Sequence, residues 1–359
     1  MARMKLDRWF IPLEIIEIIL SKSSVKSLLR FKTVCKSWNI LISDSVFIKN
    51  HLHQSKTSNL HQNLFLLRNS SKSSVSEELS LVRFEDPKFQ TVQLLKTPLG
   101  LDIVLSHCDG VLLLTDSSYR QFGLWNPSTR TQTTFRVPRK FGGCSKSYGL
   151  YHDPITGDFN VFVICTNYYR VFSCKNNAWT LKHEFAEDRY SCEPEVFVDG
   201  VFYWVKITRH ITIYYYEITY FDPRDDKLKT LPEPENTDGT GSIYLVELKG
   251  RLCMYCNVGR NNDHTKVRFW MKEKGPENNH WEEFITVENV PTIIVFLEPQ
   301  YCFMENKILI ELRDPTRRRF VVYNPGEKIV KDVEDSVFKQ IEESMHFGLR
   351  LLPFIDSLF

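Results

Sequence analysis

Residues 11–52 read IPLEIIEIILSKSSVKSLLRFKTVCKSWNILISDSVFIKNHL, and they decide the organisation of the chain because their apolar spacing is helical. Pro12 has no N–H to leave unpaired and suits a helix start, while Glu14 in the first turn is favoured by the positive end of the helix dipole. Ile15, Ile16, Ile19 and Leu20 then fall on one apolar stripe. The serines among residues 21–24 interrupt that pattern and supply caps for a second short helix carrying Val25, Leu28 and Leu29. Phe31, Val34, Cys35, Trp38, Leu41 and Ile42 recur three and four apart, and Asp44 is placed to cap a last helix with Phe47, Ile48 and Leu52. Three or four short helices of this size cannot bury so much apolar surface among themselves. The surplus requires cover from the rest of the chain or from another protein. Lys22, Lys26, Arg30, Lys32 and Lys36 follow one another with no acidic residue between them. Such a run is either a solvated helical face or a positive rim suited to an acidic partner.

Beyond Leu52 the pattern changes. The polar stretch 53–63 reads as a hinge, Leu64 to Leu67 as a short apolar strand, and Asn69 to Glu78 as a serine-rich connection. From Leu79 the apolar period is two, in short runs, which predicts strands nearly to the last residues. A unit then repeats at intervals of roughly 45–60 residues: a strand, often after a glycine turn, then another ending in Asn-Pro or Asp-Pro. It appears around Gly110–Thr129, Tyr148–Trp179, Asp199–Pro232, Leu245–Trp281 and Tyr301–Pro325. Small radial sheets of about four strands fit this spacing, and a closed ring of them leaves few exposed edges. Five or six units are visible; two stacked sheets are the alternative arrangement. Leu64 to Leu67 and the stretch Phe354 to Leu358 are candidates to close the ring. The expected division is therefore a helical module at 1–52, a hinge at 53–63 and an all-β body at 64–359.

A formal charge of +2 on 359 residues does not mark a nucleic-acid binder. Nine cysteines, an odd number scattered through hydrophobic runs, fit a reducing compartment, the cytoplasm or nucleus. Residues 1–10 lack the apolar core of a signal peptide, and no apolar run approaches the roughly 18 residues of a membrane span. No His-Glu-x-x-His, phosphate-binding glycine loop, Gly-x-Ser-x-Gly elbow or dinucleotide fingerprint occurs. Cys253 and Cys256 have knuckle spacing, but on a strand residues three apart face opposite sides, so they read as core thiols. Cys35 near His51 reads as an apolar-stripe residue rather than half of a thiolate pair, and Arg317-Arg318-Arg319 as a turn rather than a nucleic-acid patch. No catalytic residue, metal site or cofactor is expected.

The residues Pro12-Leu13-Glu14, Ile18-Ile19-Leu20, Val25 to Lys32, Val34-Cys35-Lys36-Ser37-Trp38, Leu41-Ile42 and Phe47 together resemble the F-box of plant F-box proteins. Asp109-Gly110, Trp125-Asn126-Pro127-Ser128-Thr129, Gly149-Leu150, Gly200-Val201 with Tyr203-Trp204, Phe221-Asp222, Tyr323-Asn324-Pro325 and Ile355-Asp356-Ser357-Leu358 resemble the F-box-associated region, a relative of kelch-like propellers. The resemblance implies an all-α F-box followed by an all-β, irregular kelch-like β-propeller. It further implies docking on the acidic adaptor of an SCF-type cullin-RING ubiquitin ligase through Pro12, Leu13, Ile19, Leu20, Val25, Leu28, Leu29 and Trp38, with cullin and RING subunits reached through that adaptor. Ser23-Ser24 stands where the family has Leu-Pro, a change expected to weaken the second helix start or its adaptor contact.

The expected function is non-catalytic: a substrate-recognition subunit that holds a protein target on loops of the body. Arg139, Lys140, Tyr168, Tyr169, Arg189, Tyr190, Arg209 and His210 are aromatic or basic residues near predicted turns, the types that anchor interfaces. The alternatives are a scaffold that binds the adaptor without ubiquitination output, or a propeller enzyme acting on a carbohydrate or small molecule.

Overall fold

The computed structural model describes residues 11–57, 64–69, 78–101, 103–136, 145–153, 156–165, 168–184, 191–192, 196–210, 213–225, 227–235, 243–248, 250–260, 264–291, 300–304, 307–313, 318–333 and 352–359. Four helices come first: α1 (Leu13–Ser21), α2 (Val25–Phe31), α3 (Lys36–Ser43) and α4 (Ser45–Thr57). Pro12 is the residue before the first helical one, and its carbonyl accepts from the amides of Ile15 and Ile16. Ser24 caps α2 by accepting from the Ser27 amide at 3.3 Å, so the serine at the family's proline position starts the helix by a side-chain bond. Asp44 caps α4 by accepting from Val46 N at 2.8 Å and Phe47 N at 3.2 Å. The three-and-four spacing from Phe31 to Cys35 does not correspond to one helix: α2 ends at Phe31, and Val34 and Cys35 are exposed in the turn before α3.

Six antiparallel sheets follow. Blade 1 contains β1 (Leu64–Asn69), β2 (Glu78–Glu85) and β3 (Lys88–Lys96). Blade 2 is β4 (Ile103–Cys108), β5 (Val111–Thr115), β6 (Gln121–Trp125) and β7 (Gln132–Arg136). Blade 3 is β8 (Ser145–His152), β9 (Phe159–Cys165), β10 (Tyr168–Ser173) and β11 (Ala178–Glu184). Blade 4 has its first strand in two pieces, β12 (Ser191–Cys192) and β13 (Val196–Val198), then β14 (Val201–His210), β15 (Ile213–Asp222) and β16 (Lys227–Leu231). Blade 5 is β17 (Ile243–Leu248), β18 (Arg251–Arg260), β19 (His264–Lys272) and β20 (Trp281–Pro291). Blade 6 is β21 (Gln300–Met304), β22 (Lys307–Arg313), β23 (Arg318–Asn324) and β24 (Ile329–Asp332). The short β25 (Leu352–Pro353) returns to pair with β1, Phe65 opposite Pro353 and Leu66 opposite Leu352, and so closes the ring in blade 1.

The core distinguishes this ring from two stacked sheets. Buried residues divide into six clusters, and each joins two neighbouring blades around the circle, the last joining blade 6 back to blade 1. Alternation along a strand explains how. On β5, Leu112 and Leu114 face blade 1 while Val111 and Leu113 face blade 3. A strand apolar on both faces is what a blade needs and what a solvated sheet does not. The same alternation sends Cys253 and Cys256 into different clusters, which rules out a shared metal between them. Burial pushes the Cys253 thiol up. Aromatic stacking adds to the contact of blades 3 and 4, where the Phe162 ring lies 5.4 Å from that of Phe202 and 4.7 Å from that of Phe221.

Strand direction then assigns the two faces of the ring. First strands of successive blades touch one another, β4 with β8 and β17 with β21, so they line the axis. Within a blade the chain alternates direction, so first-to-second and third-to-fourth turns lie on one face, and second-to-third turns and blade-to-blade connections on the other. The helical module sits on the first of these faces. Lys56 near the end of α4 reaches Asp109, in the β4–β5 turn of blade 2, at 2.6 Å. Glu247, at the end of β17 in the diametrically placed blade 5, also acts on the Lys56 charge.

Burial opposes the Lys56 charge, but the Asp109 carboxylate outweighs it and lifts the ammonium above its ordinary value. While Asp109 is ionised, the pair's contribution is complete below the ordinary lysine value of 10.5 and is lost as pH rises past the raised one. Glu247 keeps solvent contact, yet protein surrounds it closely enough for burial to push its carboxyl up. Helix α4 also runs through Thr57, so the first part of the stretch expected as a hinge is helical, anchored by buried His51, Leu52 and Ser55 and by Lys56. Residues 1–10, 58–63 and 70–77 lie outside the described residues.

Candidate partner-binding surfaces

Helix α1 has apolar side chains on two sides, and only one side is used internally. Leu20 is buried and Ile16 packs against the helical core, while Leu13, Ile15, Ile18 and Ile19 are exposed, from 46% for Ile15 to 55% for Leu13. At 100° per residue Ile16 and Leu20 share one face and Ile15, Ile18 and Ile19 the other. Ile11 extends the exposed set. Among the described residues, eight of the fifteen exposed large apolar side chains fall between Ile11 and Val46, which makes this module the main unsatisfied apolar surface of the chain. Lys22, Lys26, Arg30 and Lys36 are exposed around it, Lys32 is half-buried, and none of the five makes an ion pair among the described residues.

The expected adaptor residues divide by this geometry. Pro12, Leu13 and Ile19 are exposed, and of these Ile19 lies on the open side with Ile15 and Ile18. Leu20, Val25 and Leu28 form the module's own core with Ile42, Phe47 and Leu358. Leu29 and Trp38 are half-buried against that core, and the Trp38 ring meets Phe31 edge-on at 5.5 Å. Burial of Leu28 at 0% exposure makes Leu28→Ala a stability variant rather than a contact variant. It should destabilise the module by about 2–5 kcal/mol, read as loss of helix in circular dichroism, before any partner is added. Ile11, Ile15 and Ile18 were missing from the expected set, although a first helix apolar over more than half its circumference was the available signal.

Of the expected target residues, Arg139, Lys140, Arg189 and Tyr190 lie outside the described residues. The others stand at strand ends on the face opposite the helical module: Tyr168 and Tyr169 begin β10, and Arg209 and His210 end β14 opposite Tyr214 and Ile213. Tyr169 points inward. Its ring is 2% exposed and lies 5.3 Å from Phe162 and 5.4 Å from Phe221, because strand alternation puts it on the face of β10 opposite Tyr168. Tyr168 instead carries the Arg170 guanidinium over its ring at 5.1 Å.

The chemical readings resolve similarly. Cys35 is exposed rather than part of an apolar stripe, whereas His51 is buried and its Nε2 lies 2.9 Å from the Ser23 carbonyl, so the two are not a pair. Arg319 is engaged by Asp332 through two bonds of 2.6 and 2.8 Å, which removes it from any free basic patch. The described residues contain no group of three or more His, Cys, Asp or Glu able to hold a metal. No described helix is long and apolar enough to cross a membrane.

Residues 11–50 match the model of the F-box domain, and residues 63–359 that of the F-box associated beta propeller domain. An F-box/kelch-repeat protein of Arabidopsis thaliana is 24% identical over 97% of this chain and 94% of its own length. F-box only protein 10 of the same plant is 33% identical over 97% of this chain and 94% of its own. Among solved structures, TolB from Acinetobacter baumannii aligns over 82% of this chain and 71% of its own at 11% identity, with a TM-score of 0.45, too low to bear on function.

Proposed function

Because this chain belongs to the F-box proteins that carry an F-box associated β-propeller domain, we propose that it is the target-selecting subunit of an SCF-type cullin-RING ubiquitin ligase. The observation that carries this reading is the open side of α1, where Ile15, Ile18 and Ile19 remain exposed although the propeller has folded. A small acidic adaptor covers that surface, with the surrounding lysines and Arg30 steering its approach. Cullin and RING subunits join through the adaptor and bring the charged conjugating enzyme, which supplies the chemistry. The contribution of this chain is proximity: a protein target held on the face opposite the module sees a high local concentration of activated ubiquitin. Tyr168, Arg209 and His210 mark strand ends on that target face. The complex works in the cytoplasm, the nucleus or both.

Reconstitution tests this reading against a scaffold without ubiquitination output. The full chain is combined with adaptor, cullin, RING subunit and conjugating enzyme, and a protein captured by the propeller serves as acceptor. Ubiquitin transfer to the captured protein is expected only when this chain is present. Stable assembly with no transfer would leave the scaffold reading in its place.

A further inference from the structure

The helical core is not completed by the helices. Its buried members are Leu20, Val25, Leu28, Ile42 and Phe47 together with Leu358, which arrives from the far side of the sequence after the ring has closed. The segment that delivers Leu358 is fixed at every step. β25 pairs with β1, the Phe354 amide donates to the Leu64 carbonyl at 2.8 Å, and the Phe354 ring is buried in the cluster between blades 1 and 2. Ser357 is fully buried. Asn126, buried in the β6–β7 turn and 231 positions away, donates from Nδ2 to the Ser357 carbonyl at 3.1 Å and to the Phe359 carbonyl at 2.6 Å. Its Oδ1 accepts from the Ser128 and Thr129 amides, so the turn that grips the segment is itself held by the gripping side chain. Ser128 Oγ donates to Asp356 at 2.7 Å, and the Phe359 ring lies 5.1 Å from His152 of blade 3.

We infer that residues 352–359 are a clasp that makes the helical module complete only when the propeller ring is closed. One short segment carries the ring-closing strand, the groups held by the Asn126-Pro127-Ser128-Thr129 latch and the last core residue of the module. Release at the latch withdraws Leu358 from the helices. An incompletely folded propeller is thereby coupled to a loosened module. Resting further on the reading of α1 as an adaptor surface, such a chain would also be a poor ligase subunit, so recruitment is conditional on a finished target receptor.

Amide hydrogen exchange on the full chain tests the clasp without reference to any adaptor. In Leu358→Ala and in Asn126→Ala, exchange across Val25–Phe31 and Lys36–Ser43 is expected to quicken at least about tenfold, with β14 and β18 unchanged. Asn126 is absent from the helical core cluster, so its effect has to travel through the segment. Leu358→Met, which conserves volume, should restore protection. Unchanged helices in both alanine variants would overturn the clasp. So would an equal loss of protection in β14 and β18, because the segment would then be a general stability element. Adaptor capture by the same chains reads the other claim: quickened helices in the variants together with no capture by the parent chain support the clasp and overturn the adaptor reading.

Discussion

Glutamate at both Ile15 and Ile19 is expected to abolish adaptor capture, weakening it about 100-fold or more, while leaving the melting temperature and helix content of the chain unchanged. The two residues lie one turn apart on the open side of α1 and are 46% and 54% exposed. Each contributes part of the roughly 1.5–3 kcal/mol that a fully buried isoleucine is worth, and each glutamate adds the cost of an unpaired charge in an apolar contact. About 2.8 kcal/mol lost across the pair corresponds to a factor of 100 in affinity. Stability is spared because glutamate is a good helix former and neither side chain belongs to the helical core. Surface plasmon resonance with the adaptor, beside a thermal melt of the same preparation, checks both halves. Undiminished capture would show that this face is not the docking surface.

The second large effect is expected at Gly110. Its φ is +79°, and a Cβ placed there would lie 2.5 Å from the Ile355 carbonyl oxygen and 2.6 Å from Ser357 Oγ. Gly110→Ala therefore has two costs: about 1–2 kcal/mol for a left-handed residue and about 1–3 kcal/mol for a collision with the clasp, whose backbone has to move. Gly200 is the natural control. It occupies the corresponding β13–β14 turn of blade 4 with φ +77°, but a Cβ there meets nothing within 4 Å. Gly200→Ala should show the conformational cost alone. Urea melts of the two variants should differ by at least about 1 kcal/mol, with Gly110→Ala the weaker. Equal losses would mean that the segment yields freely at Gly110 and is not held against the turn.

The starts of α2 and α4, the recurring blade units and the family were legible in the sequence because they are local: a capping serine or aspartate, a period of two, a turn motif. Ser24 and Asp44 cap the helices they were expected to cap, and the five quoted units are blades 2 to 6. The sides of α1 were less legible. Ile15, Ile16, Ile19 and Leu20 form a stripe by spacing, but which half turns inward depends on α3, α4 and Leu358, none of which the local spacing records. Tyr169 shows the same limit on a strand, since a residue beside a turn can still point into the core. The clasp lay furthest out of reach. Trp125-Asn126-Pro127-Ser128-Thr129 and Ile355-Asp356-Ser357-Leu358 were both recognised as features, but only the folded ring brings the two motifs together.

The account depends on the open side of α1 receiving the adaptor in the intact chain. A hydrogen-exchange footprint of the full-length protein with and without adaptor measures that directly. The account predicts new protection across Leu13–Ser21, with the exchange of β14 and β18 unaltered. Protection confined to propeller strands, with α1 exchanging as fast as in the free chain, would contradict it.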